Sequence, residues 1–193
     1  NITANTIVIA AGTRPFIPDI PGLEEVPFIT SDEALRLPKQ PKRLTIIGGG
    51  YVAAEMAHFF GAMGTDVTIV QRHNLLLRTE DEDVSRRFTE IYQRKFNLLL
   101  NAQIQKAYMD SNGIALDVLV GGETETIISD SLMLATGRIP NSDRLKVSNT
   151  GVEVDQMGFI KTDGYLETGV RGIWALGDIV GKYMLKHSAN LEA

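Results

Sequence analysis

Leu44-Thr45-Ile46-Ile47-Gly48-Gly49-Gly50-Tyr51-Val52-Ala53 is an apolar run that breaks into three glycines and resumes as an alanine-rich segment through Ala57. The run reads as a buried strand (Leu44–Ile47) and the continuation as a helix (Tyr51–Met63). Gly48 to Ala53 fits the pattern G-x-G-x-x-G/A, directly after a strand and at a helix start. Each small residue in that pattern has a physical task. The first permits a tight turn, the second lets the backbone approach a pyrophosphate, and the third lets the helix lie close on the strand. The helix N-terminus, with unpaired N–H groups and a partial positive charge, then faces the phosphates. Gly48, Gly50, Tyr51, Val52 and Ala53 are therefore the first candidate dinucleotide contacts.

Beyond that helix the order continues as strand (Val67–Val70), helix (Asp81–Phe96, with Val84, Phe88, Ile91 and Tyr92 on one face) and strand (Leu98–Leu100). Strands alternating with helices imply a parallel sheet. The expected fold class is α/β, a Rossmann-like parallel sheet with helices on both faces. Strand pieces at Ile114–Val120 and Glu125–Ile128, joined through Gly121-Gly122, form an antiparallel β excursion. Leu132-Met133-Leu134-Ala135-Thr136-Gly137 then repeats the apolar-strand-then-Ala-x-Gly pattern of Ile7–Gly12, a second buried strand end. Two such strand ends bracket the central unit as two crossings between domains would. A Pro-rich connector (Pro15, Pro18, Pro21, Pro27) leads to a short helix at Thr30-Ser31-Asp32-Glu33, which has capping-box spacing. Pro38 and Pro41 mark a boundary. The expected division is 1–37, a tail and connector; 38–137, the nucleotide-binding domain; and 138–193, a returning segment. The abrupt apolar start and the stop within a would-be helix read as an excised piece of a longer chain.

Composition narrows the function. The 193 residues are 44% hydrophobic and 22% charged, an ordinary globular balance. A net charge of -5 without any Lys/Arg cluster argues against nucleic acid. No apolar run is long enough to span a bilayer, so no membrane partner is expected and the cytoplasm is the default location. There is no cysteine, which removes disulfides, thiolate metal sites and thiol nucleophiles from these residues, and three scattered histidines offer no metal-ligand spacing.

The end of the strand Val67–Val70 carries the second signal. An acid there would hold the ribose 2′-hydroxyl of NAD. Gln71 stands in its place, followed by Arg72 and, six residues on, Arg78. Two guanidinium groups suit a 2′-phosphate, which is anionic and accepts paired N–H donors. They equally suit solvated loop positions. NADP(H) is thus the preferred nucleotide, with NAD(H) the alternative. Gly177-Asp178, after the apolar strand Ile173–Leu176, is a third feature, which by itself reads as a turn.

The order Ile9-Ala10-Ala11-Gly12, Gly48–Ala53, Ala135-Thr136-Gly137-Arg138-Ile139-Pro140-Asn141 and Trp174-Ala175-Leu176-Gly177-Asp178 resembles the pyridine nucleotide-disulfide oxidoreductases, the family of glutathione, mycothione and mercuric reductases and of dihydrolipoamide dehydrogenase. The resemblance spans the whole chain. It implies that Asp178 bonds the ribityl chain of FAD and that Met184, Leu185, Lys186 and His187 lie along the flavin. Arg138 becomes a flavin-side contact and Gly137 a contact of the nicotinamide nucleotide. Tyr51 resembles the tyrosine that covers the flavin until nicotinamide displaces it; packing in the first helical turn is the other reading. Glu55, a lone acid among Ala53, Ala54, Met56 and Ala57, would pair with a family lysine outside these residues. Ala53 in place of a third glycine is as in the NADPH-using members.

The implied function is the nicotinamide-dinucleotide-binding region of an FAD-dependent disulfide oxidoreductase, within an enzyme that is a homodimer when intact; the region alone would be monomeric. The same region of an NAD-linked dihydrolipoamide dehydrogenase and a non-catalytic nucleotide-binding module are the alternatives. The family's FAD pyrophosphate turn, Cys-x-x-x-x-Cys pair and dimer domain with its His and Glu acid-base pair have no match here, so no catalytic residue is expected. Because a dithiol must carry electrons to substrate, the 193-residue chain is expected to turn over no low-molecular-weight disulfide with NADPH, measured as nucleotide oxidation by clean protein.

Overall fold

The computed structural model describes residues 3–193. In chain order the elements begin with β1 (Ile7–Ile9), β2 (Thr13–Pro15), α1 (Ser31–Ala34), β3 (Arg43–Ile47), α2 (Tyr51–Ala62) and β4 (Asp66–Val70). Then come α3 (Glu82–Gln93), β5 (Asn97–Leu99), β6 (Gln103–Asp110), β7 (Gly113–Val120), β8 (Glu123–Ser129) and β9 (Ser131–Leu134). The last are β10 (Arg138–Pro140), α4 (Ser142–Leu145), β11 (Ile173–Ala175) and α5 (Lys186–Glu192). They fall into two compact units, Pro15–Gly137 and the segment up to Arg14 together with Arg138–Ala193.

In the unit Pro15–Gly137 a parallel sheet has the order β5-β4-β3-β9. The chain steps from β3 to β4 to β5 in one direction. Right-handed crossovers therefore place α2 and α3 on the same face. One core holds Ile46, Ile69 and Met133 of the sheet against Ala53, Ala57 and Phe60 of α2 and Tyr92 of α3. β9 lies on the other side of β3, so the return connection must cover the opposite face. That connection is the antiparallel sheet β6-β7-β8, and Ala107, Leu116 and Val118 pack on Ile47, Val70 and Leu134. The α/β class and the excursion are as read from the sequence. Helices on both faces are not observed, because the long connection that handedness sends to the second face is itself β-sheet. Its first strand, β6, carries no strand pattern in its sequence: Gln103-Ile104-Gln105-Lys106 offers few apolar side chains, and the register shifts between Ile104 and Lys106.

The connector packs into this same unit. Leu23 and Val26 are buried in the core under the antiparallel sheet, and Ile29 bridges Met133 beside β9. α1 carries the expected capping box: the Asp32 amide donates to Thr30 Oγ1 at 3.2 Å and the Thr30 amide to Glu33 Oε2 at 2.8 Å.

The apolar face expected on α3 is corrected. Val84 is 51% and Ile91 37% exposed, while Ser85, Thr89 and Tyr92 are buried. Tyr92 sets this rotation. Its ring stacks on Phe88 and its hydroxyl donates to Ala54 O at 2.9 Å, seating the helix on α2. Burial, followed by the charge of Glu55, raises the Tyr92 pKa above its ordinary value.

In the other unit β1 runs parallel to β11, around a small core of Val147, Val152, Ile160, Ala175 and Ile179. The expected buried strand at Ile7–Ile9 is exposed at Ile7 and Val8; only Ile9 joins that core. The Ala-x-Gly end after β1 is tied to the segment just past β10. Asn141 Nδ2 donates to Ala11 O at 2.8 Å, and the Asn141 amide to Gly12 O at 3.1 Å. Arg14 adds an ion pair with Asp143 at 2.6 Å. The hydrogen bond from Arg14 holds the Asp143 carboxyl down at about 2, below its ordinary 3.8. A carboxyl whose pKa is lowered by folding stabilises the fold above the unfolded value and loses that contribution as pH falls toward 2. An NMR titration of Asp143 should show a midpoint near 2. Arg14→Gln should return it toward 3.8, and an unchanged midpoint would mean the pair is not formed in solution.

Candidate nucleotide-binding site

The strand order of the parallel sheet reverses between β3 and β9, the place where open α/β sheets leave a crevice at their carboxyl ends. Gly48 sits there. Its amide donates to Val70 O at 2.9 Å while the Ala135 amide donates to Ile47 O at 2.8 Å, so the turn is knitted into β4 and β9 together. At φ 123 Gly48 uses backbone space that favours glycine, and a Cβ on it would overlap the carbonyl oxygen of Ala135. Gly50 differs. It is the N-cap of α2, provides no side-chain cap, and a Cβ there would meet nothing within 4 Å. Ala53 is buried against the sheet. The first glycine thus serves packing and the second leaves a clear approach to the uncapped N–H groups of Tyr51, Val52 and Ala53.

Tyr51 is 53% exposed, and its hydroxyl donates to the Glu80 carboxylate, which raises the phenol pKa. It is not packed into the helix's first turn. Glu55 is exposed on α2, with Ala53, Ala54 and Ala57 on the buried side. The lone acid therefore does not lie on the alanine face but on the exposed side of the helix. Gly137, at φ 117, follows β9, whose end is strapped by the Phe16 amide donating to Gly137 O at 2.9 Å and by Thr136 Oγ1 donating to Phe16 O at 2.6 Å.

Gln71, 9% exposed, ends β4 with its amide folded beneath Gly49, where Nε2 reaches Leu75 O at 3.4 Å. Arg72 and Arg78 are exposed, and neither pairs with a carboxylate among the described residues. Between them lies His73, which the sequence pattern did not single out. Arg72 Nε donates to His73 Nε2 at 3.1 Å. Burial, then the charges of Arg78 and Arg72, push the His73 pKa below its ordinary value. Both guanidinium charges thus bear on the His73 imidazole, a spot in the loop between β4 and α3. Loop position, not spacing, brings His73 to that spot; its only sequence signal was its place between the arginines.

The remaining predicted residues lie in the other unit. Thr13 Oγ1 donates to Asp178 Oδ2 at 3.3 Å and accepts from Arg138 Nε at 2.7 Å, while Arg138 Nη2 donates to Thr13 O at 2.9 Å. The second Asp178 oxygen has no partner among the described residues, so its carboxylate retains an acceptor for a ligand hydroxyl. Met184, Leu185, Lys186 and His187 are exposed at the start of α5. That helix returns Glu192 to accept from the Gly177 amide at 2.7 Å. A cavity of about 840 Å³ in this unit, lined by Phe159, Tyr165, Tyr183 and Leu191 among others, contains none of the predicted contacts. Among the described residues no group of His, Asp and Glu could hold a metal, and no helix is long and apolar enough to cross a membrane.

The family model for pyridine nucleotide-disulphide oxidoreductases matches residues 1–193. The chain belongs to that family. It is 41% identical over 191 residues to mycothione reductase of Mycobacterium tuberculosis, covering 99% of this chain and 41% of that protein. Mercuric reductase of Staphylococcus aureus is 37% identical, with 93% of this chain and 33% of the relative covered. Dihydrolipoyl dehydrogenase of Haemophilus influenzae is 36% identical over 93% of this chain and 38% of the relative. The solved HOCl-induced flavoprotein disulfide reductase RclA from Escherichia coli, as its Cu(II) complex, superposes with a TM-score of 0.87 at 29% identity, covering 97% of this chain and 42% of that one. The chain thus spans about two-fifths or less of the length of these relatives. FAD and a pyridine nucleotide are the cofactors of this family.

The two glycines separate structure from ligand approach. Gly48→Ala should cost more than about 2 kcal/mol, from a disfavoured φ and a backbone clash. Gly50→Ala should leave the thermal midpoint within a few degrees of the parent, since its φ is ordinary and its Cβ is free. Equal midpoints for the two variants, read by circular dichroism, would contradict this packing.

Proposed function

We propose that the unit around Gly48–Ala53 is the nicotinamide-nucleotide-binding part of an NADPH-dependent flavoprotein disulfide oxidoreductase. Residues 38–137, with the connector from Pro15 packed into the same unit, supply the nucleotide domain, and the segments before and after that unit supply part of the flavin side. The observation that carries the reading is the pairing of an open glycine at an uncapped helix N-terminus with two arginines, after the next strand, that have no carboxylate partner among the described residues. The helix N-terminus and the N–H groups after Gly50 bind pyrophosphate. Arg72 and Arg78 bind the 2′-phosphate, and a buried glutamine at position 71 removes the carboxylate that would repel it.

In the intact enzyme these residues would hold the nicotinamide nucleotide and part of FAD, which when bound would supply hydride transfer toward a redox disulfide outside these residues. This chain's own residues bind and orient. Gly137 lets nucleotide pass the end of β9. Asp178, steadied by Thr13 and through it by Arg138, presents a carboxylate oxygen to the flavin ribityl chain, with Met184 to His187 alongside. Tyr51 stands over the dinucleotide path. Relatives named for mycothione, mercury and dihydrolipoyl substrates match this region at 41%, 37% and 36% identity. That evenness fits a region concerned with the shared cofactors rather than the final substrate.

Calorimetric titration of the chain with NADPH and NADH tests the reading. NADPH should bind at least about tenfold more tightly, since charged hydrogen bonds to phosphate contribute on the order of 1.5–3 kcal/mol each. The triple variant Gln71→Glu, Arg72→Met, Arg78→Pro should move the preference toward NADH. Equal affinities in the parent would return the two arginines to ordinary solvated loop residues and favour the NAD-linked alternative.

A further inference from the structure

The loop between β4 and α3 keeps its shape through two hydroxyls that the proposed chemistry does not use. Ser85 and Thr89 are buried one turn apart on the side of α3 that faces the rest of the unit, where the sequence pattern called for apolar residues. Ser85 Oγ donates to Leu77 O at 2.7 Å. Thr89 Oγ1 donates to Ser85 O at 2.7 Å and accepts from the Leu76 amide at 2.9 Å. Leu77 in turn sits at φ 50, a left-handed conformation that a leucine adopts only when its surroundings impose it. Its amide donates to Gly49 O at 2.8 Å. Leu77 is thus held from two sides: its N–H by the Gly-rich turn, and its carbonyl by Ser85 of α3 and by the Glu80 amide, which donates to it at 3.0 Å. Arg78 is the next residue. Arg72 lies at the other end of the loop, where the Gln71 amide donates to Leu99 O at 2.8 Å and keeps the chain on the sheet.

We propose that Ser85 and Thr89 are positioning residues for nucleotide selectivity: by clamping Leu76-Leu77 against α3 they hold Arg78 within reach of the group that Arg72 binds. The inference rests on the reading of the two arginines as 2′-phosphate contacts. Its physical basis is the left-handed residue. Without the Ser85 bond, the Leu77 carbonyl keeps only the bond from the Glu80 amide within the same loop and loses its tie to α3, so the left-handed Leu77 is freer to relax and to swing the backbone that carries Arg78. Without the Thr89 oxygen, the buried Leu76 N–H has no acceptor and must seek one by moving the loop. The pyrophosphate turn keeps its bonds to β4 and to the end of β9, and its bond from the Leu77 amide uses neither hydroxyl. Loss of either hydroxyl should therefore weaken recognition of the 2′-phosphate and spare the rest of the dinucleotide. A hydroxyl that served stability alone would weaken both nucleotides together or neither.

The test is calorimetry on the 193-residue chain with NADP⁺ and NAD⁺ and with their adenosine fragments, adenosine 2′,5′-bisphosphate and 5′-AMP. Ser85→Ala and Thr89→Val are compared with the parent and with Thr89→Ser, which keeps the oxygen. The expected result for Ser85→Ala and Thr89→Val is a fall of at least about fivefold in the NADP⁺ to NAD⁺ affinity ratio, repeated with the fragments, because a charged contact loses the supports that hold it in place. Thr89→Ser should hold the parent ratio. Circular dichroism melting monitors folding. If Thr89→Val does not fold, Ser85→Ala decides alone, since it leaves the Leu76 amide bonded. An unchanged ratio, or equal weakening of both nucleotides, overturns the inference. Failure of the underlying reading shows in a different sample: a parent with equal affinities removes the 2′-phosphate role and the positioning role with it.

Discussion

The close approach of the end of β3 to the end of β9 at Gly48 is the constraint on which the rest of this unit is built. β3 is flanked by β4 on one side and β9 on the other, and the backbone at Ile47 and Gly48 bonds to both neighbours. A side chain at residue 48 would push β9 away and open the sheet at the point where strand order reverses. With the strands held together there, α2 must leave β3 sharply. Its N-terminus then opens at the carboxyl edge of the sheet, and a small residue at position 53 lets the helix lie flat on the core. Handedness does the remainder. It sends α2 and α3 to one face and the β6-β7-β8 sheet to the other.

Electrostatics arise from this placement rather than from overall charge. The chain carries a net charge of -5, yet beside its Gly-rich turn two arginines stand without carboxylate partners among the described residues and help depress the pKa of a histidine between them. Uncompensated cations beside a helix N-terminus make a local positive potential that favours an anion, whatever the sign of the whole molecule. Such a cluster keeps its geometry only if the loop that bears it is held. Here part of the holding is polar: two buried hydroxyls of α3 bond the loop beside the apolar contacts of Phe88 and Tyr92. A similar economy operates in the second unit, where one threonine links Arg138 to Asp178 and leaves a carboxylate oxygen available.

Much of this was legible in the residues themselves. The order of strands and helices from Leu44 to Leu100, the Gly-x-Gly turn and the capping box at Thr30 are local: each depends on which side chains lie within a turn or two along the chain. Family membership was legible because four short motifs recur in one order across the whole chain, and it holds. The same locality explains the misreadings. An apolar stripe of Val84, Phe88, Ile91 and Tyr92 is a sound local pattern, but the rotation of α3 was decided by what Tyr92 and the two hydroxyls meet on other elements. β6 shows little alternation because a register shift between Ile104 and Lys106 breaks the period of two that a strand packed on one face otherwise carries.

Residue identity and short spacing were enough to establish the α/β class, the Gly-rich turn from strand to helix and the absence of cysteine from these 193 residues. They could not establish which glycine packs and which leaves room, that Glu55 faces solvent, or that His73 lies under the charges of Arg72 and Arg78. Nor could they show that the second face of the sheet is covered by strands and that Ser85 and Thr89 hold the arginine loop. The reason is common to all of these. They depend on contacts between segments far apart in the chain, which strand order and crossover handedness bring together, and no pattern within one segment encodes what it will meet.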